Sequence, residues 1–310
     1  MPVEAVDLTG RKLLITGPTG QVALPVVAHF AAIAEVYALA RYSKEEDRKK
    51  VEDMGATAIQ ADLARPETLD GIPADIDYVL NFAVVKTGDF DYDLAANAEG
   101  VGHLMQRCAS VRGFLHFSST AVYEYAGHEP RSENSPLGDN HRVMFPTYSI
   151  AKIAAETVCR FVAHSCNIPT TIARLSVPYG DNGGWMYYHL LMMQQGIPIE
   201  LHPEQPNYYN PLHVDDYIDK IPYLLAAASS DVTTVNFGGS QQVSIEQWCE
   251  YLSELTGLEP VFADNVRAFG SLAIDTEKMH RLIGPTRVDW RDGIRSQVEH
   301  LAPELLKPAD

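Results

Sequence analysis

The chain has 310 residues, with 24 Lys or Arg against 41 Asp or Glu, and a formal net charge of −17. A protein this acidic repels nucleic acids and anionic membrane surfaces, so the composition disfavours both as general partners. Hydrophobic residues make up 46% and charged residues 21%, which is typical of a folded globular protein and excludes a disordered chain. No apolar run reaches the roughly 18 residues of a membrane-spanning helix.

The termini and the cysteines indicate the compartment. The first twelve residues mix charged and apolar side chains, which is unlike a secretory signal peptide. The four cysteines are Cys108, Cys159, Cys166 and Cys249. Because they form no CxxC pair and no zinc spacing, we expect reduced thiols, a cytoplasmic protein and no metal site.

Short apolar runs alternate with helical patterns through the first 180 residues. The pattern predicts strands at residues 12–16, 36–40, 56–61, 78–83, 113–118 and 170–175. Helical periodicity separates them, notably at residues 22–34, 94–110 and 147–165. Strands that alternate with helices predict an α/β fold, a Rossmann-type doubly wound parallel sheet covered on both faces.

Beyond residue 178 the alternation loosens. Gly, Pro, Tyr and Asn concentrate in 179–211, a strand-like stretch follows at 235–239, and Ser244 precedes an amphipathic helix at 244–255 that it could cap. We expect residues 1–178 to form a dinucleotide-binding domain to which 212–238 return. Residues 179–211 and 239–310 would form a smaller C-terminal substrate lobe.

A glycine-containing turn joins the first predicted strand to the first helix. Gly17 permits the tight turn, Gly20 lets the backbone approach a pyrophosphate, and Ala23 allows close helix–strand packing. The helix N-terminus adds free N–H groups and a positive dipole end. The turn is therefore interpreted as a phosphate-binding loop, the alternative being an ordinary strand–helix connection.

The ends of the second and third strands bear on the adenosine half of a dinucleotide. The second strand ends without a carboxylate and is followed by Arg41, which suits a 2′-phosphate and favours NADP over NAD, with NAD remaining possible. The basic residues that follow also fit a solvated helix with Glu45–Lys49 and Glu46–Lys50 pairs. Asp62 could accept a hydrogen bond from the adenine amino group or could serve as a turn residue.

A YxxxK motif opens the helix predicted at 147–165. The i,i+4 spacing places Tyr148 and Lys152 on one helix face. A free tyrosine titrates near ~10, and a neighbouring ammonium would lower that value toward the range useful for proton transfer. Ser118 and Ser119 end the fifth strand at the sheet edge where α/β proteins bind ligands.

Together these motifs resemble those of the extended short-chain dehydrogenases/reductases, the family that includes the NAD-dependent epimerases/dehydratases. The matching stretches run in family order across nearly the whole chain: TGPTGQVA, ADL, NFAV, residues 97–100, SSTAVY, YSIAK, RLSVPYG, HVDD, VNFGG and VSIEQW. The resemblance implies the fold, a nicotinamide cofactor, a small-molecule substrate and a homodimer formed through the helices that carry Asn97 and Tyr148.

The resemblance also implies catalytic roles. Tyr148 would be the general acid/base, and Lys152 would bind the nicotinamide ribose and lower the tyrosine pKa. Ser119 would hydrogen-bond the reacting oxygen, with Thr120 as the adjacent hydroxyl. Asn97 would support the active-site water or backbone, or alternatively is a surface residue or a residue that distorts its helix.

Binding roles follow from the same matches. The cofactor-binding residues implied are Gly17, Thr19, Gly20, Gln21, Val22, Arg41, Asp62, Leu63, Ala83, Val84, Tyr148 and Lys152. The substrate-binding residues implied are Thr120, Tyr123, Val177, Trp185 and Tyr209.

Three departures from the family pattern argue against a nucleotide-diphosphate sugar as substrate. Val177 stands where many members carry a substrate-binding Asn, and Tyr209 stands where they carry an Arg that grips the diphosphate. Replacing that Arg removes bidentate phosphate recognition. No acidic pair follows Ser119, so the dehydratase pattern is also missing.

Aromatic residues take the place of these polar groups. They are Tyr179, Trp185, Tyr187, Tyr188, Tyr208 and Tyr209. They could form a pocket for a partly apolar carbonyl compound, or they could pack the lobe or a subunit contact. Lys86 could contact a substrate anion or be a loop lysine, and His213 is interpreted as a structural residue of its turn.

Three functions are consistent with these residues. The first is an NADP(H)-dependent oxidoreductase acting on a ketone, aldehyde or secondary alcohol. The second is an epimerase or dehydratase that holds NAD tightly and returns the hydride internally. The third, a cofactor-sensing regulator without catalysis, is disfavoured because Ser119, Tyr148 and Lys152 occur together.

Overall fold

The computed structural model describes residues 2–308. The elements of the N-terminal half follow in the order β1 (Lys12–Thr16), α1 (Ala23–Ala31), β2 (Glu35–Ala40), α2 (Glu45–Asp53), β3 (Thr57–Gln60), β4 (Tyr78–Asn81), α3 (Phe90–Leu94), α4 (Gly100–Arg107), β5 (Gly113–Ser119), α5 (Tyr148–Cys166) and β6 (Thr170–Leu175). Those of the C-terminal half are β7 (Pro178–Tyr179), α6 (Trp185–Gln195), β8 (Ile199–Leu201), β9 (Tyr208–Tyr209), β10 (Leu212–His213), α7 (Val214–Ala226), β11 (Thr233–Phe237), β12 (Val243–Ser244), α8 (Ile245–Thr256), β13 (Phe262–Asp264), α9 (Glu277–Ile283) and α10 (Trp290–Leu301).

Seven parallel strands form the central sheet, in the order β3-β2-β1-β4-β5-β6-β11. The chain moves outward from β1 in one direction to β3 and then returns to continue from β4 in the other. In such sheets ligands bind outside the carboxyl ends of the strands at this point of reversal. The predicted Rossmann-type doubly wound fold is confirmed.

Apolar side chains cover both faces of the sheet. On one face, α1, α7 and α9 bury residues such as Val26, Tyr217 and Met279. On the other, α4 and α5 bury Leu104 and Cys159 against the sheet. A third apolar cluster includes many residues of α6, α8 and α10, which form the C-terminal part of the molecule. Within residues 212–238, β11 pairs with β6 and α7 packs on the sheet; α9, which lies in the segment predicted for the substrate lobe, packs on the same face.

Local chemistry explains several element boundaries. Ser244 caps α8 as predicted, and Gln247 returns a hydrogen bond to complete a capping box. The ion pairs on α2 differ from the prediction, because they join Arg48 to Glu52 and Lys49 to Asp53. Among residues 2–308, no helix has the combined length and apolar character that crossing a bilayer requires.

The helix predicted at 94–110 is interrupted. Residues 90–94 form α3, Ala95–Glu99 form a π-helical turn, and α4 begins only at Gly100. π-Helical turns inside helices often mark functional sites. Here the turn contains Asn97, whose side chain hydrogen-bonds the backbone of Val85 in the loop that follows β4.

Candidate active site

The phosphate loop connects β1 to α1 at the point where the strand order reverses. Gly17 has a φ of +64°, and a Cβ there would lie 2.9 Å from the Cα of Ala83, so only glycine fits. Val22 caps α1 without a side-chain hydrogen bond. The Leu24 N–H donates to the Gly20 carbonyl at 3.0 Å and Pro25 has no N–H, so the N–H groups of Val22 and Ala23 are the ones left open to an anion at this end.

One cleft of about 310 Å³ follows this loop to the end of β2. Its lining includes these predicted cofactor-binding residues: Gly17, Thr19, Gly20, Arg41, Asp62, Leu63, Ala83 and Val84. Gln21 and Val22 instead line a second cleft on the other side of the loop. The cleft therefore brings most of the predicted cofactor residues together.

One cation after β2 and one carboxylate in the first turn of α2 line this cleft. Arg41 and Asp47 both line it, and Nη1 of Arg41 donates to the Tyr92 hydroxyl at 2.6 Å. Asp62 also lines the cleft, and its Oδ1 accepts from the Ala64 N–H at 3.0 Å. The structure therefore shows the local turn, and the contact of Asp62 with adenine stays a prediction.

Asn97 supports the backbone beneath the cofactor cleft. Its Nδ2 donates to the Val85 carbonyl and its Oδ1 accepts from the Val85 N–H, both at 2.8 Å. This reciprocal pair fixes the loop that follows β4. The arrangement matches the implied role of Asn97 as a support of active-site backbone.

Tyr148 is the first residue of α5 and lines the second cleft with Ser119 and Thr120. Burial raises the pKa of the Tyr148 phenol, and its hydrogen bond with Ser119 opposes that shift. The net direction differs from the lowering that the resemblance implied. Burial outweighs the Ser119 hydrogen bond, and Lys152 adds no lowering of its own; its ammonium donates to the Phe117 carbonyl at 2.7 Å.

Lys152 lies one helical turn beyond Tyr148 and is itself buried. Burial lowers its pKa to about 8, against the opposing charge of Glu156. The Lys152 side chain is therefore still mostly protonated at neutral pH, but it loses its proton at a lower pH than an exposed lysine does.

A buried ionic network that the sequence analysis missed supports the catalytic strand and helix. Glu156 receives two hydrogen bonds from Arg174, at 2.7 and 2.9 Å, and one from Ser118 at 2.6 Å. Arg160 adds a fourth contact. The sequence did carry a signal for this network: Lys152, Glu156 and Arg160 alternate in charge at intervals of four residues, which places them on one face of a helix.

The structure places Tyr123 in this network, which differs from its predicted contact with substrate. Its side chain is fully buried, donates to Asn236 and accepts from Arg174. Tyr123 is also absent from the residues that line the second cleft. The hydroxyl thus satisfies buried partners instead of facing a ligand.

The second cleft, with a volume of about 490 Å³, has aromatic walls. Of the predicted substrate residues, Thr120, Val177, Trp185 and Tyr209 line it. The sequence analysis missed His141, Phe145 and Phe269, which line it as well. The rings of Trp185 and His141 each stack on Phe269, with ring centroids 5.8 and 4.2 Å from that of Phe269. Burial lowers the pKa of His141 to about 4, so it is neutral.

Val177 and Tyr209 occupy the two family positions that the sequence singled out. Tyr209 is almost wholly buried, and its hydroxyl donates to the Gly270 carbonyl at 2.7 Å beside Phe269. Val177 has a φ of +28°, a conformation that β-branched residues avoid and that costs roughly 1–3 kcal/mol. Neither side chain offers a phosphate-binding cation.

The other tyrosines of the predicted aromatic set divide between cleft and core. Tyr188 lines the cleft, whereas Tyr179 is buried in the third apolar cluster. His213 caps α7 and accepts from the Asp215 N–H, in agreement with a structural role. Within residues 2–308, no group of His, Cys, Asp or Glu is arranged to hold a metal ion.

Comparison with known proteins identifies the family. Residues 13–238 match the sequence model of the NAD dependent epimerase/dehydratase family. The chain belongs to this family. Over 308 residues it is 22% identical to probable GDP-L-fucose synthase 1 of Oryza sativa subsp. japonica, covering 92% of this chain and 90% of that protein.

A second curated relative and a solved structure are also similar to this chain. Over 133 residues the chain is 33% identical to the dTDP-4-dehydrorhamnose reductase of Burkholderia thailandensis, covering 40% and 39% of the two chains. The solved structure of MoeE5 in complex with UDP-glucose and NAD superposes with a TM-score of 0.77 at 21% identity, covering 95% of this chain and 99% of that one. This last similarity shows the shared fold.

Proposed function

We propose that this member of the NAD-dependent epimerase/dehydratase family is an NADP(H)-dependent oxidoreductase. Its substrate would be a carbonyl compound or secondary alcohol with a partly apolar body and no nucleotide. The observation that carries the proposal is the position of Tyr148 and Ser119 in an aromatic cleft beside the dinucleotide cleft. The relative named as a reductase supports the reaction type.

The residues present fit a dinucleotide, since only glycine is accommodated at 17 and the N–H groups that begin α1 lack a side-chain cap. When bound, the nicotinamide supplies a hydride for reduction or accepts one in the reverse direction. Tyr148, whose pKa is raised by burial, is protonated at neutral pH and can donate its proton to a carbonyl oxygen. Ser119 donates a hydrogen bond to the same oxygen, and we expect Lys152, whose ammonium is held at the Phe117 carbonyl, to bind the nicotinamide ribose.

The preference for NADP rests on Arg41. Its guanidinium is a cation at the end of β2, where the 2′ position of the adenosine ribose binds in this fold. β2 does not end in a carboxylate, although Asp47 of α2 lines the same cleft as Arg41. Arg41 thus favours a 2′-phosphate while Asp47 opposes it, which makes the two side chains a matched test.

The absence of a nucleotide from the substrate rests on Tyr209 and Val177. Tyr209 directs its hydroxyl to a backbone carbonyl, so it cannot replace the Arg that grips a diphosphate in many relatives. Val177 presents an apolar side chain to the cleft. The cleft therefore suits a ring or hydrocarbon better than a second pyrophosphate.

The alternative is an epimerase or dehydratase that retains NAD and returns the hydride to its own substrate. The family to which the chain belongs, and the NAD and UDP-glucose bound by MoeE5, favour this second candidate. The two functions differ in where the hydride ends, because only a net oxidoreductase releases the reduced product together with oxidised cofactor.

Deuterium transfer tests the proposal. The purified protein is incubated with NADPH deuterated at C4 and a panel of aromatic and aliphatic ketones, and the products are analysed by mass spectrometry. We expect one deuterium in an alcohol product and stoichiometric NADP. Protein that purifies with bound NAD and transfers no deuterium to any added ketone would instead favour the epimerase or dehydratase.

We further propose a cytoplasmic homodimer that associates through α4 and α5. These helices pack against each other, and Phe161 of α5 is 70% exposed, as expected for a side chain that a second copy would cover. We also propose the division into a dinucleotide domain (1–178 and 212–238) and a substrate lobe (179–211 and 239–310), with the exception of α9, which packs on the sheet of the dinucleotide domain. Light scattering that gives the monomer mass would exclude the dimer.

A further inference from the structure

The loop that follows β4 is held on both sides of Lys86. Asn97 binds the N–H and carbonyl of Val85, as described above. On the other side, the buried Asp93 carboxylate accepts from the N–H groups of Thr87 and Gly88 at 3.0 to 3.1 Å and from the Thr87 hydroxyl at 2.7 Å. A lysine that only extends from a loop into solvent needs no hydrogen bonds that fix its backbone. The hydrogen bonds on both sides of residue 86 therefore indicate a defined position for Lys86.

The same carboxylate fixes that loop relative to the catalytic tyrosine. Asp93 also accepts from the Thr147 hydroxyl at 2.6 Å, and Thr147 directly precedes Tyr148. The Lys86 ammonium lies 4.6 Å from the ring centroid of Phe145 and 5.5 Å from that of Tyr148. Cation–π attraction to both rings orients the ammonium over the cleft.

The charge of the second cleft is unusual for so acidic a protein. Its lining includes neither Asp nor Glu, and its histidine, His141, is neutral at pH 7. Lys86 is the one Lys or Arg in that lining, and it makes no ion pair with any residue between 2 and 308. The protein as a whole carries −17, yet this cleft presents a single uncompensated positive charge.

We propose that Lys86 selects a substrate that carries an anionic group, a carboxylate or a phosphate monoester, within a few bonds of the reacting carbonyl. The apolar remainder of the substrate lies against the Trp185–Phe269 wall. This inference rests on the proposed function, because it takes the second cleft as the substrate site. It makes an oxo acid with a ring or hydrocarbon body the expected substrate class.

Binding of matched probes tests the assignment without turnover. The probes are 2-naphthoate, 2-naphthyl phosphate and the neutral 2-naphthamide, titrated calorimetrically into the NADPH-loaded protein. We expect at least one anion to bind about tenfold more tightly than the amide, the size of one charge-assisted hydrogen bond. The tighter anion identifies the chemical class, and the preference should shrink as salt increases because Lys86 is exposed.

Three variants locate the preference. Lys86→Gln should reduce the ratio of anion to amide affinity to about one, and Lys86→Arg should keep most of it. Lys50→Gln removes the same charge from the exposed face of α2 and should leave the ratio unchanged. Thermal unfolding of each variant checks that it is folded.

The inference is overturned if no anion binds more tightly than the amide to the wild-type protein. It is also overturned if Lys86→Gln keeps the preference. Failure of deuterium transfer would reject the proposed reaction, but it would leave these binding ratios as they are. The two proposals can therefore fail separately.

Discussion

Arg41 and Asp47 place opposite charges in the lining of the cofactor cleft. If a 2′-phosphate binds there, Arg41→Ala should lower the affinity for NADP tenfold or more, because it removes a charge-assisted contact of about 1.5–3 kcal/mol. The affinity for NAD should change less than threefold. Asp47→Asn removes a negative charge that repels the 2′-phosphate, so it should raise the affinity for NADP and leave the affinity for NAD unchanged. Calorimetric titration of both cofactors into each variant measures these effects. An equal loss of NAD and NADP in Arg41→Ala would show that the guanidinium does not face the 2′ position.

Site residues could be predicted from sequence where the motif is local. The glycine turn, Arg41 and Asp62 each follow directly from the end of a recognisable strand, and the cleft contains them all. His141 and Phe269 could not be predicted, because they are 128 positions apart in the sequence and meet only through the fold of the lobe. Tyr123 was misplaced for a related reason: its neighbours in the motif face the cleft, while its own hydroxyl has buried partners.

At the scale of the element, the beginning of α5 determines where Tyr148 lies. Thr147 caps this helix without a side-chain cap hydrogen bond, and its hydroxyl binds Asp93 instead. Asp93 thereby joins α3, the loop after β4 and α5, and its hydrogen bonds to Thr147 and Thr87 lower its pKa against the opposing effect of burial. We infer that Asp93 is a positioning residue for both Lys86 and Tyr148.

Asp93→Asn tests this role. The amide keeps the shape but cannot accept all of the same N–H and O–H donors, so buried donors lose partners at a cost of roughly 1–3 kcal/mol. We expect kcat to fall at least tenfold with a smaller change in the KM for NADPH, because the cofactor cleft does not include Asp93. Thr147→Val removes one of these contacts and should give a smaller effect of the same kind. Loss of stability with unchanged kcat would limit Asp93 to a structural role.

Elements were predictable where an apolar run coincided with a buried strand. The strands predicted at 12–16 and 170–175 have those bounds in the structure, and the other strands of the sheet differ by a few residues at their ends. The interruption of the helix at 94–110 was not predictable from periodicity, because it coincides with hydrogen bonds from Asn97 to Val85, a residue outside the helix and twelve positions away. Short strands such as β9 and β12 depend on pairing within the lobe and carry too few residues to show a pattern.

At the scale of the whole molecule, three neutral histidines make stability depend on pH. Burial lowers the pKa of His116 to about 3 and that of His141 and His189 to about 4. Below the ordinary value near ~6.5 the unfolded chain binds protons at these positions and the folded chain does not. Stability from each is therefore complete above that value and is lost as the pH falls toward the folded pKa.

His189→Gln measures one of these contributions. His189 accepts from Trp248 Nε1 at 2.9 Å, and a glutamine oxygen can keep that bond. Between pH 7 and 5.5 the free energy of unfolding should fall by about 1.4 kcal/mol less in this variant than in the wild type. Urea denaturation at the two pH values gives the difference, and the exposed His164→Gln serves as control. An identical pH dependence in His189→Gln and wild type would contradict a neutral His189.

The most direct test of the proposed function is deuterium transfer from NADPH in Tyr148→Phe. The phenylalanine keeps the ring that Lys86 contacts and removes the hydroxyl group whose proton the carbonyl oxygen must receive. We expect the rate of transfer to the ketone to fall by at least a thousandfold, while calorimetry shows NADPH affinity within threefold of wild type. Transfer at the wild-type rate in Tyr148→Phe would contradict the role given to this residue and, with it, the proposed mechanism.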